Sequence, residues 1–297
     1  MKQKFNNMLN IKEVKALLNL LDDPDEVVFQ NVKNKLNSYG KEIIPILEDT
    51  WEISEDKKVQ DRIEEIIHDI QFEKLYDDFN KWTEEGSNIY EGYVLVTKYL
   101  YPDLDINLIV DILNSIKHDI WLEINENLTA LEKIRVLNHV FFDVYKFRAV
   151  IQDTNNPNLY YINSVLSSKK GNNLSLSLIY LVLAQQLKLP IYGINLPDHF
   201  VLAYLNDSSI RKFPELNEEV LFYINVQNKG SIFSEREINY YLKQMNLEPI
   251  QEYFLPCSNI IIIKILINEL IKLYEGLEEP AKVKDLILLK NSLILKS

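Results

Sequence analysis

Apolar residues recur at three- and four-residue steps through most of the chain, and this spacing predicts helices with one buried stripe each. Ile11, Val14, Leu17, Leu18 and Leu21 form the first stripe, with Asn10 as its cap. Asp22-Asp23-Pro24-Asp25 then reads as a stop followed by a new start, with Asp23 accepting the orphan N–H groups and Pro24 at the first helical position. Gly40 ends that second helix, and further stripes follow through Ile43, Ile44, Ile46 and Leu47, and through Val59, Ile63, Ile66, Ile67 and Ile70. From Glu73 to Asn125 the period continues, with Tyr90, Val94, Leu95 and Tyr99 on one face and a break at Tyr101-Pro102-Asp103. Leu131 to Tyr145 is another helix, a short one surrounds Tyr161 to Leu166, and Leu174 to Leu187 is apolar on every side, as a buried helix is.

After Lys188-Leu189-Pro190 the pattern changes. Ile191 to Leu196, Phe200 to Leu205 and Val220 to Val226 are short and rich in β-branched and aromatic residues, with turn signals at Pro197-Asp198, Asn206-Asp207 and Lys229-Gly230. They predict antiparallel strands packed on the Leu174 helix. Phe233 to Met245, Asn259 to Tyr274 and a last helix from Glu279-Pro280 to Leu295 return to the helical period. The expected class is therefore α+β and predominantly helical, with a small antiparallel sheet. The N-terminal helix pairs resemble HEAT-type repeats and the final pair resembles a tetratricopeptide unit, which divides the chain into 1–72, 73–255 and 256–297.

Composition narrows the function. At 297 residues with 47% hydrophobic content the chain can bury a sizeable core, and its formal net charge of -12 removes the generic attraction to phosphate backbones, so no nucleic-acid partner is expected. The stretches Leu174 to Leu187 and Ile260 to Ile267 are shorter than the roughly 20 apolar residues a membrane span needs, so no membrane partner is expected either. A single Cys257 and an N-terminus, Met1-Lys2-Gln3-Lys4-Phe5-Asn6-Asn7, without a secretory apolar core fit a cytoplasmic setting. His68, His118 and His139 have no second ligand at metal spacing, and with 7 Gly the chain has no phosphate-cradling loop. Neither a metal nor a cofactor is expected.

The chemistry centres on Gly171-Asn172-Asn173-Leu174-Ser175-Leu176-Ser177, Pro197-Asp198-His199-Phe200 and Phe222-Tyr223-Ile224-Asn225. A helix start after Gly, a His opening a strand and a polar residue closing the next strand match the papain-like layout of nucleophile, base and orienter. With Tyr101-Pro102-Asp103-Leu104-Asp105, Leu137-Asn138, Phe141-Phe142, Phe147-Arg148 and Tyr161-Ile162-Asn163-Ser164-Val165-Leu166, these segments resemble the SirB-type branch of transglutaminase-like proteins from about Trp82 to Pro256. The resemblance implies a papain-like α+β core and places Asn173 where catalytic members carry Cys, His199 at the superfamily histidine, and Asn225 at the acid position. Two of the three triad positions are thus altered, and a protein or peptide partner replaces catalysis as the expected role. Asp198 and Lys188 stand where the branch tends to have Gly, and Asn225-Val226 replaces an Asp-Pro pair. Ser175 or Ser177 acting with His199 as an amidase, peptidase or acyltransferase is the alternative, against the commoner use of Ser near a helix start to satisfy backbone groups. Cys257 reads as a small buried hydrophobe. The pairs Tyr160-Tyr161 and Tyr240-Tyr241 offer either core or partner surface.

Overall fold

The computed structural model describes residues 10–153, 155–206 and 220–293. The N-terminal stretch, Asp207 of one turn signal and the Leu295 helix end lie outside them. The backbone separates into two units, Met1–Asp78 and Phe79–Ser297, so the division falls within a long helix, and the C-terminal helices belong to the second unit.

In the first unit, α1 (Ile11–Leu18), α2 (Glu26–Asn37), α3 (Ile44–Ile53) and the start of α4 (Lys57–Glu84) enclose Leu21, Phe29, Leu36, Ile43, Leu47, Ile63 and Ile66. Asn10 caps α1 as expected. The cap of α2 is Asp25, which accepts from the Val27 amide at 2.8 Å, whereas Asp23 accepts from Asp25 itself; Pro24 lies before the helix. The carboxylate nearest the first helical residue wins because only it reaches the second N–H. Buried Arg62 donates to the Leu21 and Asp23 carbonyls at 2.8 and 2.7 Å, so a charged fork closes the turn between α1 and α2.

In the second unit, α5 (Ile89–Leu100), α6 (Ile106–Glu123), α7 (Ala130–Asn138) and α8 (Ile162–Ser168) surround α9 (Asn173–Gln186). Every residue of α9 from Leu174 to Ala184 is buried, which is why its sequence lacks a polar face. The helix expected to continue to Tyr145 changes at His139 into a π-helical turn, His139–Val144, that closes with the Tyr145 amide on the Val140 carbonyl. This places Phe141 flat against Phe147 at 4.2 Å. Two short parallel segments, β1 (Arg148–Ala149) and β2 (Lys170–Gly171), precede a four-stranded antiparallel sheet in the order β3 (Ile191–Leu196), β4 (His199–Leu205), β5 (Val220–Asn225) and β6 (Ser231–Phe233). Then come α10 (Glu235–Gln244), α11 (Asn259–Gly276) and α12 (Pro280–Ser292). One sheet face, carrying Ile194, Leu196, Val201, Ala203 and Tyr223, is covered by Ile238 and Leu242 of α10. On the other face, Gly193 lets Phe200 and Ile262 of α11 approach closely.

Two non-glycine residues, Lys188 and Asp198, take left-handed backbone at turns. Lys188 ends α9 with φ 57, its amide on Gln185 and the Leu189 amide on Ala184, the paired bonds of a left-handed helix stop. Asp198 completes the β3–β4 turn with φ 54 after Pro197. Both sites demand the backbone that Gly adopts at least cost. Here the turns keep their shape with other residues.

Candidate functional site

The start of α9 and the β3–β4 hairpin wall a cleft of about 680 Å3, closed on a third side by Asn268, Glu269 and Lys272 of α11. Asn172 caps α9, its carboxamide oxygen accepting from the Ser175 amide at 2.7 Å. Asn173 is the first helical residue, and its Nδ2 donates to the Phe200 carbonyl at 2.8 Å. The reason lies in the sheet: the β4–β5 ladder ends at Leu202 and Ile224, so beyond it the Phe200 carbonyl takes the Asn173 carboxamide as its donor. The Asn173 Oδ1 is buried without a partner.

His199 opens β4 opposite Leu196 and lines the same cleft, with its ring centroid 6.2 Å from that of Tyr241. The Tyr241 hydroxyl donates to the Pro197 carbonyl at 2.7 Å, which ties the hairpin turn to α10. Burial lowers the His199 imidazole below its ordinary 6.5. The unfolded chain therefore binds the proton at a higher pH than the folded one, so this group weakens the fold as pH falls through and below 6.5 and contributes nothing above it. Urea unfolding at pH 7.5 and 5.5 should show a loss of stability that His199→Asn reduces; an equal loss in both proteins would remove His199 as its source.

Asn225 does not line the cleft. Its Oδ1 accepts from the Asn228 amide at 3.2 Å and caps the single turn Val226–Asn228, so this side chain holds its own loop. Ser175 is fully buried, with its Oγ donating to the Asn172 carbonyl at 3.2 Å beneath Gly171. Ser177 is likewise buried and its Oγ has no partner. Neither serine lines the cleft with His199. The Cys257 Sγ donates to the Gly193 carbonyl at 3.3 Å, and burial pushes this thiol up to about 12. Tyr160 and Tyr161 are core residues, the second bonded to the Tyr274 hydroxyl at 2.9 Å, whereas Tyr240 is exposed. Among the described residues, no three His, Cys, Asp or Glu side chains gather at metal-binding range. No described helix is long and apolar enough to cross a membrane.

Two residues of the matching segments have structural roles that the sequence pattern does not give. Asn138, at the end of α7, accepts from the buried Tyr180 hydroxyl and donates to the Gly230 carbonyl, both at 2.9 Å. Asn172 carries an N-cap signal but was read only as part of the Gly171 segment.

A helix start abutting an antiparallel sheet, with a His at the mouth of its hairpin, defines the papain-like class of α+β cores. Residues 108–268, just over half of the chain, match the transglutaminase-like superfamily model, and the chain belongs to that superfamily. It is 31% identical over 108 residues to mouse (Mus musculus) F-box only protein 21, covering 36% of this chain and 17% of that protein. With the human (Homo sapiens) F-box only protein 21 the identity is 26% over 188 residues, covering 56% and 30%. A UPF0162 protein of Xylella fastidiosa is 27% identical over 117 residues, covering 39% and 42%. The chain thus spans less than half the length of these relatives. No solved structure matches it.

Proposed function

We propose that this chain is a non-catalytic, SirB-type transglutaminase-like protein that binds a protein or peptide partner in the cytoplasm, with the cleft beside α9 as its binding surface. One observation carries the reading: at the nucleophile's position, the Asn173 carboxamide is committed to the Phe200 carbonyl. A carboxamide there forms no acyl intermediate, and the other candidate groups are remote or engaged. Ser175 and Ser177 are sealed in the core, and the Cys257 thiol is protonated at neutral pH. What remains suits recognition. Asn195, Gln227 and Asn268 line the cleft with carboxamides, a group that can both donate to and accept from a peptide backbone. The HEAT-like helices before the core and the tetratricopeptide-like pair after it fit the same role, since helical pairs of this kind present extended binding faces.

The test has two arms. Serine- and cysteine-directed activity probes should leave no label that depends on His199, and a displayed-peptide selection should yield ligands that bind the full chain and lose affinity for Asn268→Trp, a substitution of an exposed cleft residue. Labelling abolished by His199→Ala would make the protein an enzyme. Peptides retained equally by Asn268→Trp would remove the cleft as the binding surface.

A further inference from the structure

A second recess, of about 650 Å3, lies between the C-terminal half of α6 and the end of α9, lined by Asn114, Lys117, His118, Trp121 and Lys188 among others. None of the cleft residues borders it. The whole chain carries a formal charge of -12, yet this lining holds two lysines and no carboxylate. Asp119, next to His118 on α6, is outside the lining and already accepts from the Tyr145 hydroxyl at 2.8 Å.

Trp121 stands 63% exposed with its indole stacked on His118 at 6.2 Å and 22°, and the neighbouring Leu122 is equally exposed. An indole left in water forgoes a burial worth on the order of 2 kcal/mol, and Trp is the residue type most enriched at the energetic centres of interfaces. Lys188 sits past the carbonyl end of α9, where a cation complements the helix dipole without any ligand. Lys117 has no such reason. It lies within α6 with Asn114 as its partner at 3.0 Å and places a second cation beside the indole.

We infer that this recess is a docking site for a short acidic peptide segment of a partner protein, anchored by an aromatic or aliphatic side chain on Trp121 and held by Lys117 and Lys188. The surrounding negative charge selects the length of the ligand. A few carboxylates can reach the two lysines, whereas a long polyanion such as nucleic acid would meet repulsion from the rest of the surface. The site is independent of the cleft, and either can fail without the other.

The probe is a fluorescein-labelled, glutamate-rich peptide with one central Phe, followed by anisotropy against the full chain. It should bind saturably, weaken with salt, and lose about ten-fold or more in affinity with Trp121→Ala and with Lys117→Glu/Lys188→Glu. Asn268→Trp should leave this binding unchanged. The double charge reversal should instead gain affinity for the lysine-rich version of the peptide. None of these side chains is buried, and circular dichroism is the check that each variant is folded. Absence of saturable binding, equal binding by the variants, or equal binding of polyglutamate without the Phe or of a single-stranded oligonucleotide would each overturn the proposal.

Discussion

Replacing Gly230 by Ala is expected to destabilise the second unit by about 3 kcal/mol, close to the loss that a single substitution can cause in a domain of this kind. Gly230 has φ 69, a conformation that costs a residue with a Cβ roughly 1–2 kcal/mol. The steric problem is larger. A Cβ there would lie 2.0 Å from Asn138 Oδ1 and 2.4 Å from its Cγ. Asn138 cannot simply turn aside, because its amide holds the Gly230 carbonyl and its oxygen accepts from Tyr180, a fully buried hydroxyl on α9. Displacing it leaves that hydroxyl unpaired, at about 1–3 kcal/mol. Urea unfolding measures the loss, and a change within about 0.5 kcal/mol would refute the argument. Should Gly230→Ala not fold, the Asn138→Ala background provides the check. Removing the obstructing side chain should make the second substitution cost less than it does in the native protein.

Contacts of this kind, between residues far apart in sequence, are what the sequence does not show. Helices announced themselves wherever one face is buried, and α9 did so because all its faces are. The three long strands were recognisable from β-branched and aromatic runs between turn residues. Segments whose conformation is imposed from outside were not. β1 and β2 are two residues each and exist only because they meet each other, and β6 is three residues long, with its last, Phe233, adjoining the α10 stripe and so falling in the expected helix from Phe233 to Met245. A capping box at Ser234 and Glu237 marks where that helix starts. The π-helical turn after Asn138 follows from tertiary packing of Phe141 and Phe142 and leaves no periodic signature.

At the site, the family resemblance pairs Asn173 with His199, and both line one cleft, whereas the role of Asn225 is not legible in the sequence. Its capping of the next turn depends on the chain bending at Val226. The consequence for function is specific. The turns on either side of the helix and hairpin take left-handed backbone at Lys188 and Asp198, and the first residue of α9 carries a carboxamide. On the proposed function, this arrangement offers a shaped surface in place of a reactive group.

Asn173→Cys is expected to create a thiol that alkylates at least about a thousand-fold faster at pH 8 than the native cysteine. The side chain would stand at the first residue of α9, where the unpaired N–H groups and the helix dipole favour a thiolate and hold its pKa below the ordinary value of about 8.5. Cys257 is the opposite case, pushed up to about 12 by burial, so that only about one molecule in ten thousand is ionised at pH 8. Iodoacetamide labelling of both proteins across a pH series, read by intact mass, gives the two titrations. The substitution forfeits the bond to the Phe200 carbonyl, a loss of about 1 kcal/mol that leaves the fold intact. A new thiol that reacts no faster than Cys257, or only with a midpoint above 8.5, would mean that the start of α9 does not stabilise an anion. In that event Asn173 would not stand where a nucleophile once worked, and the kinship of this cleft with a catalytic site would be one of fold alone.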